Sequence, residues 1–294
     1  MSSITVPQLR NACGVQQGDP LGPFFFSLAL NHIVQKIQNQ IPGLLLHMWY
    51  LDDGVFCGNR DDIHKVLRLL DIHSSPIGLS VNLKKCELFS KGDLSMFSPI
   101  IPRSNKPNII ILGVPIGDQC FTSTFIASRR EKAEVLLQKL PRLEDPQAAL
   151  MLLRSCSGFY KLANIARGTP PSLASTCLKE FDNDICQALE EIAGIQLSDT
   201  SWSQARLSFN FGGLGLRSLS DHSAASFTAS YVSATQEPSQ HLCEAVNEFN
   251  SNVQSDNHLN VSSVFHQKPK QYVLSQAVDK SKFNELYHCL PPAH

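Results

Sequence analysis

Two short apolar runs separated by a pair of aspartates constrain this chain more than any other feature. Residues 44 to 51 read LLLHMWYL and residues 54 to 58 read GVFCG, with Asp52 and Asp53 between them. Apolar runs of this length, bounded by turn residues, are typical of buried strands, and Asp-Gly is a strong signal for a two-residue hairpin turn. The pattern therefore predicts a β-hairpin that turns at Asp53-Gly54.

The two adjacent carboxylates also allow a chemical interpretation. At about 5 Å and an effective dielectric constant of about 20, their charges repel by roughly 3 kcal/mol. A divalent cation reverses the sign of that interaction, and magnesium takes carboxylate oxygens together with the phosphates of a substrate. The local sequence leaves both interpretations open: a solvated turn, or part of a magnesium site for phosphoryl or nucleotidyl transfer.

Length and composition indicate a globular protein. The chain has 294 residues and 43% hydrophobic content, which is enough for a sizeable core in one or two domains. No run approaches the ~20 apolar residues of a membrane helix, and the first residues lack the pattern of a signal peptide. We therefore expect an intracellular protein, cytoplasmic or nuclear, without a membrane partner.

Net charge and cysteine content argue against two further classes of protein, those that only bind nucleic acid and those built around a zinc site. The net charge is -1 and the pI is about 6.8, which argues against a chain that does nothing but bind a nucleic-acid backbone tightly. The nine cysteines form no CxxC pair and no zinc-type cluster with histidine, so we expect reduced core residues.

The segments around the hairpin alternate between helical and strand-like patterns. Before it, Asp19-Pro20 is a good N-cap signal, and a helix is predicted from there to Pro42-Gly43. After it, DDIHKVLRLLDI predicts a second helix, followed by the strand-like stretches GLSVN, CELFS and NIIILGVPIG. This order predicts the α+β class.

The remaining chain is mainly helical in pattern. Residues 122 to 193 are predicted to be helical, with Asp145-Pro146 as an N-cap and a break at residues 169 to 172. An apolar stripe in this region predicts core packing; its members are Leu173, Leu178, Phe181, Ile185, Leu189 and Ile192. A further helix is predicted over residues 221 to 234. The polar sequence beyond about residue 236 predicts a linker and one peripheral helix.

Four blocks in a fixed order resemble the second half of a reverse-transcriptase palm, most like those of non-LTR (LINE-type) retrotransposons. The blocks are GVQQGDPLGP, YLDDG, GLSVNLKKC and ILGVPIG, within about a hundred residues. The resemblance implies a partial right-hand polymerase palm in residues 1 to 118, with antiparallel strands and helices. A helical thumb-like region would cover residues 119 to 236, and a polar linker with a C-terminal helix residues 237 to 294.

The same resemblance implies RNA-directed DNA polymerisation, with an RNA template and a DNA primer as partners and magnesium as cofactor. Asp52 would be the metal-binding carboxylate and Asp53 its supporting neighbour. Lys85 would lie near the nucleotide phosphates as a general acid. Gln17 and Gly18 would approach the incoming nucleotide and the template.

Leu112 and Gly113 correspond to the primer-grip turn, where glycine lets nucleic acid come close to the backbone. Structural alternatives exist for each of these positions: a helix-entry turn at Gln17-Gly18, a surface lysine at Lys85 and a β-hairpin turn at Leu112-Gly113. Cys86, beside Lys85, is expected to be structural.

One departure from the family pattern bears on activity. Two-metal nucleotidyl transfer needs carboxylates from two strands, and the second aspartate of the family lies several tens of residues upstream, whereas thirteen residues precede Gly14. Other acidic residues do not fall at the corresponding position: Asp61, Asp62, Asp71 and Asp118. We expect an incomplete magnesium site, no activity of the chain alone, and an apolar sheet edge that could pair with a polypeptide supplying the palm strand.

Two other interpretations remain open. The helical region could form a non-catalytic nucleic-acid-binding or protein-interaction module, with a basic face or, structurally, only a solvated helix face. The residues of that face are Arg129, Arg130, Lys132, Lys139 and Arg142. The third interpretation is a decayed element without a selected function.

Overall fold

The chain divides into two compact units. The computed structural model describes residues 14–15, 18–104, 106–253 and 258–289. Unit 1 spans Met1–Lys106 and unit 2 spans Pro107–His294. The α+β class is confirmed, because short strands occur in both units and helices dominate unit 2.

The described residues of unit 1 form two long helices and two small sheets. Its elements are α1 (Gly22–Gln40), β1 (Leu46–Tyr50), β2 (Asp53–Cys57), α2 (Arg60–Ser74), β3 (Leu88–Phe89) and β4 (Arg103–Ser104). β1 and β2 form an antiparallel pair, and β3 and β4 form a short parallel pair.

The core of unit 1 lies between α1 and α2. Ile33 and Ile37 of α1 pack with Val66 and Leu70 of α2, as the helical spacing of the apolar residues predicts. Asn59 caps α2, because its side-chain oxygen accepts the amide of Asp62 at 2.8 Å. Both helices are therefore held by packing on one face.

The strands predicted after α2 are largely absent from unit 1. Residues 78 to 82 form no strand, and only Leu88–Phe89 of the CELFS stretch pairs, with Arg103–Ser104. The carbonyl of Asn82 instead accepts the amides of Lys85 and Cys86, at 2.9 Å and 3.2 Å. A local turn therefore takes the hydrogen bonds that a strand would need.

Unit 2 contains one hairpin and a set of helices. Its elements are β5 (Ile109–Ile111), β6 (Val114–Ile116), α3 (Gln119–Leu137), α4 (Pro146–Leu152), α5 (Ala163–Gly168), α6 (Pro171–Ala193), α7 (Asp199–Arg206), α8 (Leu219–Ala234), α9 (Gln240–Asn252), α10 (Val261–Gln267) and α11 (Gln271–Cys289). The Asp145 cap and the break before α6 are confirmed. Within the described residues, no helix is long and apolar enough to cross a membrane.

The apolar stripe of α6 forms the centre of the larger core. Leu178 and Phe181 are fully buried, and Ile185 and Leu189 are nearly so. They pack with Ile126 of α3 and with residues around them in one cluster. The prediction of core packing for this stripe is confirmed.

Helix α8 is surrounded by other helices. It contacts α5, α6, α9 and α11, and most of its side chains are small and buried, including Ala224, Ala225, Ser226 and Ala229. Small side chains let neighbouring backbones approach closely on several sides. α8 is therefore the central helix of the second half of unit 2.

The prediction of a linker with one peripheral helix after residue 236 is wrong, because three helices are present. Leu242 and Phe249 of α9 are buried, and so are Leu274 and Val278 of α11. The polar composition gives little sign of these short apolar faces, which are buried by packing against α8 and against one another.

The described cysteines lie less deeply in the protein than the sequence predicts. The described cysteines are all free. Cys57, Cys120, Cys156 and Cys289 are exposed, so the expected place in the core is wrong for these four. The other described cysteines are half-buried, and Cys177 packs against the core of unit 2.

Candidate active site

The aspartate pair lies at the tip of the β1–β2 hairpin. Tyr50 is opposite Asp53 in the antiparallel register, so the two turn residues are Leu51 and Asp52. Leu51 has a φ of 52°, in the left-handed region that two-residue hairpin turns require. The predicted hairpin is confirmed, but the turn predicted at Asp53-Gly54 is wrong by two residues.

Aromatic packing explains the shift of the turn. Gly54 lies opposite Trp49, and a Cβ there would approach Trp49 Cζ3 to 2.9 Å. The rings of Trp49 and Phe56 meet edge to face with 5.3 Å between centroids, and both pack against the core of unit 1. The glycine therefore makes room for a cross-strand aromatic ring instead of forming the turn.

A histidine completes the anchored face of the hairpin. The indole N–H of Trp49 donates to Nε2 of His47 at 2.7 Å, and the His47 ring stacks on Phe56 at 5.3 Å. Burial lowers the pKa of His47, which favours the neutral ring that can accept this hydrogen bond. The hairpin is thus fixed to its unit by one face.

The other face of β1 is exposed and apolar. Leu46, Met48 and Tyr50 alternate with the half-buried His47 and Trp49. The sheet that contains them has two strands, so its outer edges are not covered by further strands of that sheet. The expectation of an apolar sheet edge that pairs with another polypeptide stays a prediction.

Asp52 and Asp53 are both solvent-exposed. Within the described residues, neither belongs to a group of three or more His, Cys, Asp or Glu side chains that could hold a metal ion. Exposed carboxylate oxygens are the donors that magnesium prefers, and magnesium commonly uses one or two of them together with water and phosphate. The pair therefore fits one side of a magnesium site but does not close it.

The loop before α1 contains the next predicted residues. Gly18 has a φ of 95°, which glycine adopts readily, while Gln17 lies outside the described residues. Asp19 does not cap α1, because its Oδ1 accepts the amide of Leu21 at 2.9 Å and the helix begins at Gly22. The predicted cap is wrong, since Asp19 closes a turn ahead of the helix.

Lys85 lies in the turn that replaces the predicted strand. Its side chain is exposed, as is that of Lys84, so its ammonium group is accessible to a phosphate. Cys86 is half-buried, and burial raises the pKa of its thiol, which disfavours the thiolate and agrees with a structural role.

Leu112 and Gly113 form the turn of the β5–β6 hairpin in unit 2. Both have positive φ, 50° and 79°, and Ile111 pairs with Val114 across the turn. Asn164 of α5 donates its Nδ2 to the carbonyl of Leu112 at 3.0 Å. The turn is thus held against a helix of the same unit.

Sequence reasoning missed a buried polar cluster in unit 2. Asp279 of α11 accepts Nη2 of Arg217 at 2.7 Å and lies 3.2 Å from Nε2 of His222. Burial alone raises the pKa of Asp279, but the hydrogen bonds and charges of His222 and Arg217 outweigh it and hold the pKa below its usual range. Partners this far apart in sequence leave no local signal.

Comparison with known proteins assigns the first part of the chain. Residues 4–116 match the family described as reverse transcriptase (RNA-dependent DNA polymerase). Over 113 residues the chain is 31% identical to the "Retrovirus-related Pol polyprotein from type-1 retrotransposable element R2" of Popillia japonica, which covers 36% of this chain and 18% of that polyprotein. The chain therefore spans under a fifth of the length of this relative.

No solved structure matches this chain. The matched residues include the hairpin with Asp52 and Asp53, the Lys85 turn and the β5–β6 turn. The resemblance is therefore confirmed, and residues 4–116 are a reverse-transcriptase-like segment of the non-LTR retrotransposon type.

Proposed function

We propose that this chain contributes the metal-binding hairpin of an RNA-directed DNA polymerase, acting on an RNA template and a DNA primer. The observation that carries the proposal is the exposed Asp52–Asp53 pair at the tip of a hairpin anchored by Trp49 and Phe56. A carboxylate pair on a rigid element needs little reorganisation when charge develops nearby. An intracellular location, cytoplasmic or nuclear, follows from these substrates.

In this proposal the residues of unit 1 have distinct roles. Asp52 is the principal ligand of a magnesium ion and Asp53 supports it, while the exposed Lys85 approaches the nucleotide phosphates and donates a proton to the leaving pyrophosphate. When bound, the metal supplies charge neutralisation and activation of the primer hydroxyl. Gln17 and Gly18 contact the incoming nucleotide and the template, and in unit 2 Leu112 and Gly113 contact the primer.

A further carboxylate must complete the metal site. Within the described residues no third metal-ligating side chain groups with the pair. We propose that a β-strand of another polypeptide supplies it, because among the described residues the outer backbone edge of the two-stranded sheet has no neighbouring strand. The exposed side chains of Leu46, Met48 and Tyr50 would add apolar contacts to such a strand. The chain alone would then be inactive.

Primer extension on an RNA template with magnesium tests this function. The chain is assayed alone and co-expressed with a polymerase fragment that carries the fingers and the acidic palm strand. We expect extension only in the mixture, and a loss of at least about 100-fold with Asp52→Asn, as when one electrostatic stabiliser is removed from an active site. Asp71→Asn, an exposed acid on α2 with the same charge change, is the matched control.

The results separate clearly. The proposal would be contradicted if the mixture extended the primer equally well with Asp52→Asn. It would also be contradicted if no mixture extended the primer. Extension by the chain alone would contradict the need for a second polypeptide.

A second function, nucleic-acid binding by unit 2, is supported by cations that have no acidic partner. Arg130 is not among them, because its guanidinium binds both oxygens of Asp184 and also Glu180. Hydrogen bonding and the charge of Asp184 raise its pKa. A nucleic-acid surface on unit 2 must therefore use other basic residues.

A further inference from the structure

A small cleft in unit 2 is lined by three basic side chains and no acidic one. It encloses about 200 Å³ between the end of α5, the C-terminal half of α8 and the loop from α10 to α11. Its polar lining consists of Arg167, Lys268, Lys270, Ser230, Ser233 and Gln271. Small-molecule pockets are usually about 300–1,000 Å³, so this cleft suits a single compact charged group better than a whole nucleotide.

The basic side chains of this cleft are free to bind an anion. Within the described part of the chain, the ion pairs of unit 2 involve other residues, and Arg167, Lys268 and Lys270 have none. All three side chains are exposed. Like charges that share a cleft repel each other, and an anion between them would turn this repulsion into attraction.

A larger cleft in the same unit shows the contrast. It encloses about 270 Å³ between α7, α8 and α11, and it contains Arg206 and His222. There Arg206 lies 3.0 Å from Asp221, and His222 lies 3.2 Å from Asp279. The charges in that cleft are already compensated, whereas those around Lys268 are not.

Lys268 and Lys270 both occupy backbone positions where another residue type would be more stable. Lys268 ends α10 with a φ of 41°, a left-handed position where glycine or asparagine is favoured. Lys270 occupies the N-cap of α11, because its carbonyl accepts the amides of Val273 and Leu274. A cation is unfavourable there, and the first turn of α11 contains no acidic residue. Local rules that are broken together often mark a functional site.

The Ser230 hydroxyl adds a neutral donor to the cleft. Ser233 lies one turn further along α8, where its hydroxyl donates its single proton to the carbonyl of Ser230 at 2.7 Å and can therefore only accept. Gln271 donates its Nε2 to Ser226 at 2.9 Å, which fixes its side chain at the start of α11. Guanidinium, ammonium and hydroxyl donors together match the acceptor oxygens of a phosphate group.

We propose that this cleft binds a phosphate group, and that its source is the backbone of a single-stranded nucleic acid passing over unit 2. The alternative source of the same chemistry is free phosphate. The site does not depend on the polymerase proposal, because none of its residues belongs to unit 1.

Opposite effects on stability and binding make the test specific. Lys270→Asp places a favoured N-cap residue before α11 and reverses the charge of the cleft, so we expect equal or higher thermal stability and weaker binding. Lys268→Asn likewise relieves the left-handed backbone and removes a cation. Lys280→Glu, an exposed charge reversal in the middle of α11, is the matched control.

Binding is measured with the full chain and a short fluorescein-labelled single-stranded RNA, by anisotropy over a range of salt concentrations without magnesium or nucleotide. Arg167→Gln, Lys268→Asn and Lys270→Asp combined should lower affinity at low salt by at least about tenfold and reduce the slope of log K against log salt by about 2. Inorganic phosphate is tested in parallel by the shift in melting temperature that it induces.

Loss of both RNA binding and the phosphate shift, with Lys280→Glu unchanged, supports the nucleic-acid site. Loss of the phosphate shift alone supports the cleft but assigns it to free phosphate. Unchanged binding of both probes, or an equal loss with Lys280→Glu, overturns the proposal. If Lys270→Asp does not fold by circular dichroism, Arg167→Gln alone decides the result.

Discussion

Gly54 lies directly opposite Trp49 in the β1–β2 hairpin, and a Cβ atom at position 54 would come within 2.9 Å of the indole ring. Gly54→Ala should therefore displace Trp49 or Phe56 and destabilise unit 1 by about 1–3 kcal/mol, as overpacking does. Urea unfolding followed by tryptophan fluorescence measures the effect. Gly92→Ala, whose Cβ would meet only Ser90 Oγ at 3.7 Å, should change stability little, and equal effects of the two would contradict this account.

Asp182 of α6 links that helix to the start of α8. Its buried carboxyl accepts the Ser218 hydroxyl and the Leu219 amide at 2.7 Å, together with the hydroxyl and the amide of Ser220. Burial raises its pKa, and these hydrogen bonds oppose that rise.

Asp182→Asn should destabilise unit 2 by roughly 3 kcal/mol, because the new NH₂ group faces donors and leaves some of them unpaired. The free energy of unfolding in urea gives the comparison. Asn183→Ala, at the exposed neighbouring position, should stay within about 0.5 kcal/mol of the wild type. A loss below about 1 kcal/mol for Asp182→Asn would mean that the carboxylate is not the preferred acceptor.

Asp279 should make stability depend on pH. Its pKa in the folded protein is held below the usual value by His222 and Arg217, against the opposing effect of burial. A lowered carboxyl pKa stabilises the fold above the unfolded pKa of about 3.9, and this contribution is lost as pH falls through the lower folded pKa.

The stability of Asp279→Asn should therefore be lower than that of the wild type near neutral pH, by roughly 1–3 kcal/mol. The difference should shrink as pH falls below about 4. Urea unfolding at several pH values, on both proteins, measures the gap. A gap that stays constant to the lowest pH would show that ionisation of Asp279 does not contribute.

Arg130 and Arg129 are neighbours on α3 with different surroundings. Arg130 binds Asp184 and Glu180 of α6, whereas Arg129 lies over the Phe125 ring at 4.9 Å. Arg130→Ala should cost about 1–3 kcal/mol of stability, since it leaves the mostly buried Asp184 without its partner. Arg129→Ala should cost under about 1 kcal/mol.

Neither arginine is required by the proposed phosphate cleft, so RNA affinity measured under folding conditions should change little in Arg130→Ala. Thermal melting and anisotropy on the same samples separate the two effects. Loss of RNA binding in a folded Arg130→Ala variant would contradict this prediction and show that Arg130 belongs to a nucleic-acid surface.

Short-range patterns predicted several elements correctly. The apolar spacing in α1, α2 and α6, the Asp145 cap and the break before α6 all depend on neighbours a few residues apart, and the structure confirms them. The turn predicted at Asp53-Gly54 was wrong because Gly54 lies in a strand opposite Trp49, where a Cβ atom would collide with the indole ring. The helices after residue 236 were missed because their narrow apolar faces are buried only in the tertiary structure, against α8 and neighbouring helices.

The sequence by itself indicated a reverse-transcriptase segment, through four ordered blocks, and residues 4–116 match that family. It also determined the pair of carboxylates, since adjacency along the chain guarantees their proximity. Tertiary structure alone decided where the hairpin turns, which arginine is bound to acids and which basic residues share a cleft. Residues 167 and 268 line the same cleft only because helices far apart in sequence pack together. A local pattern of side chains cannot predict such a contact, because it depends on neighbours a few residues apart.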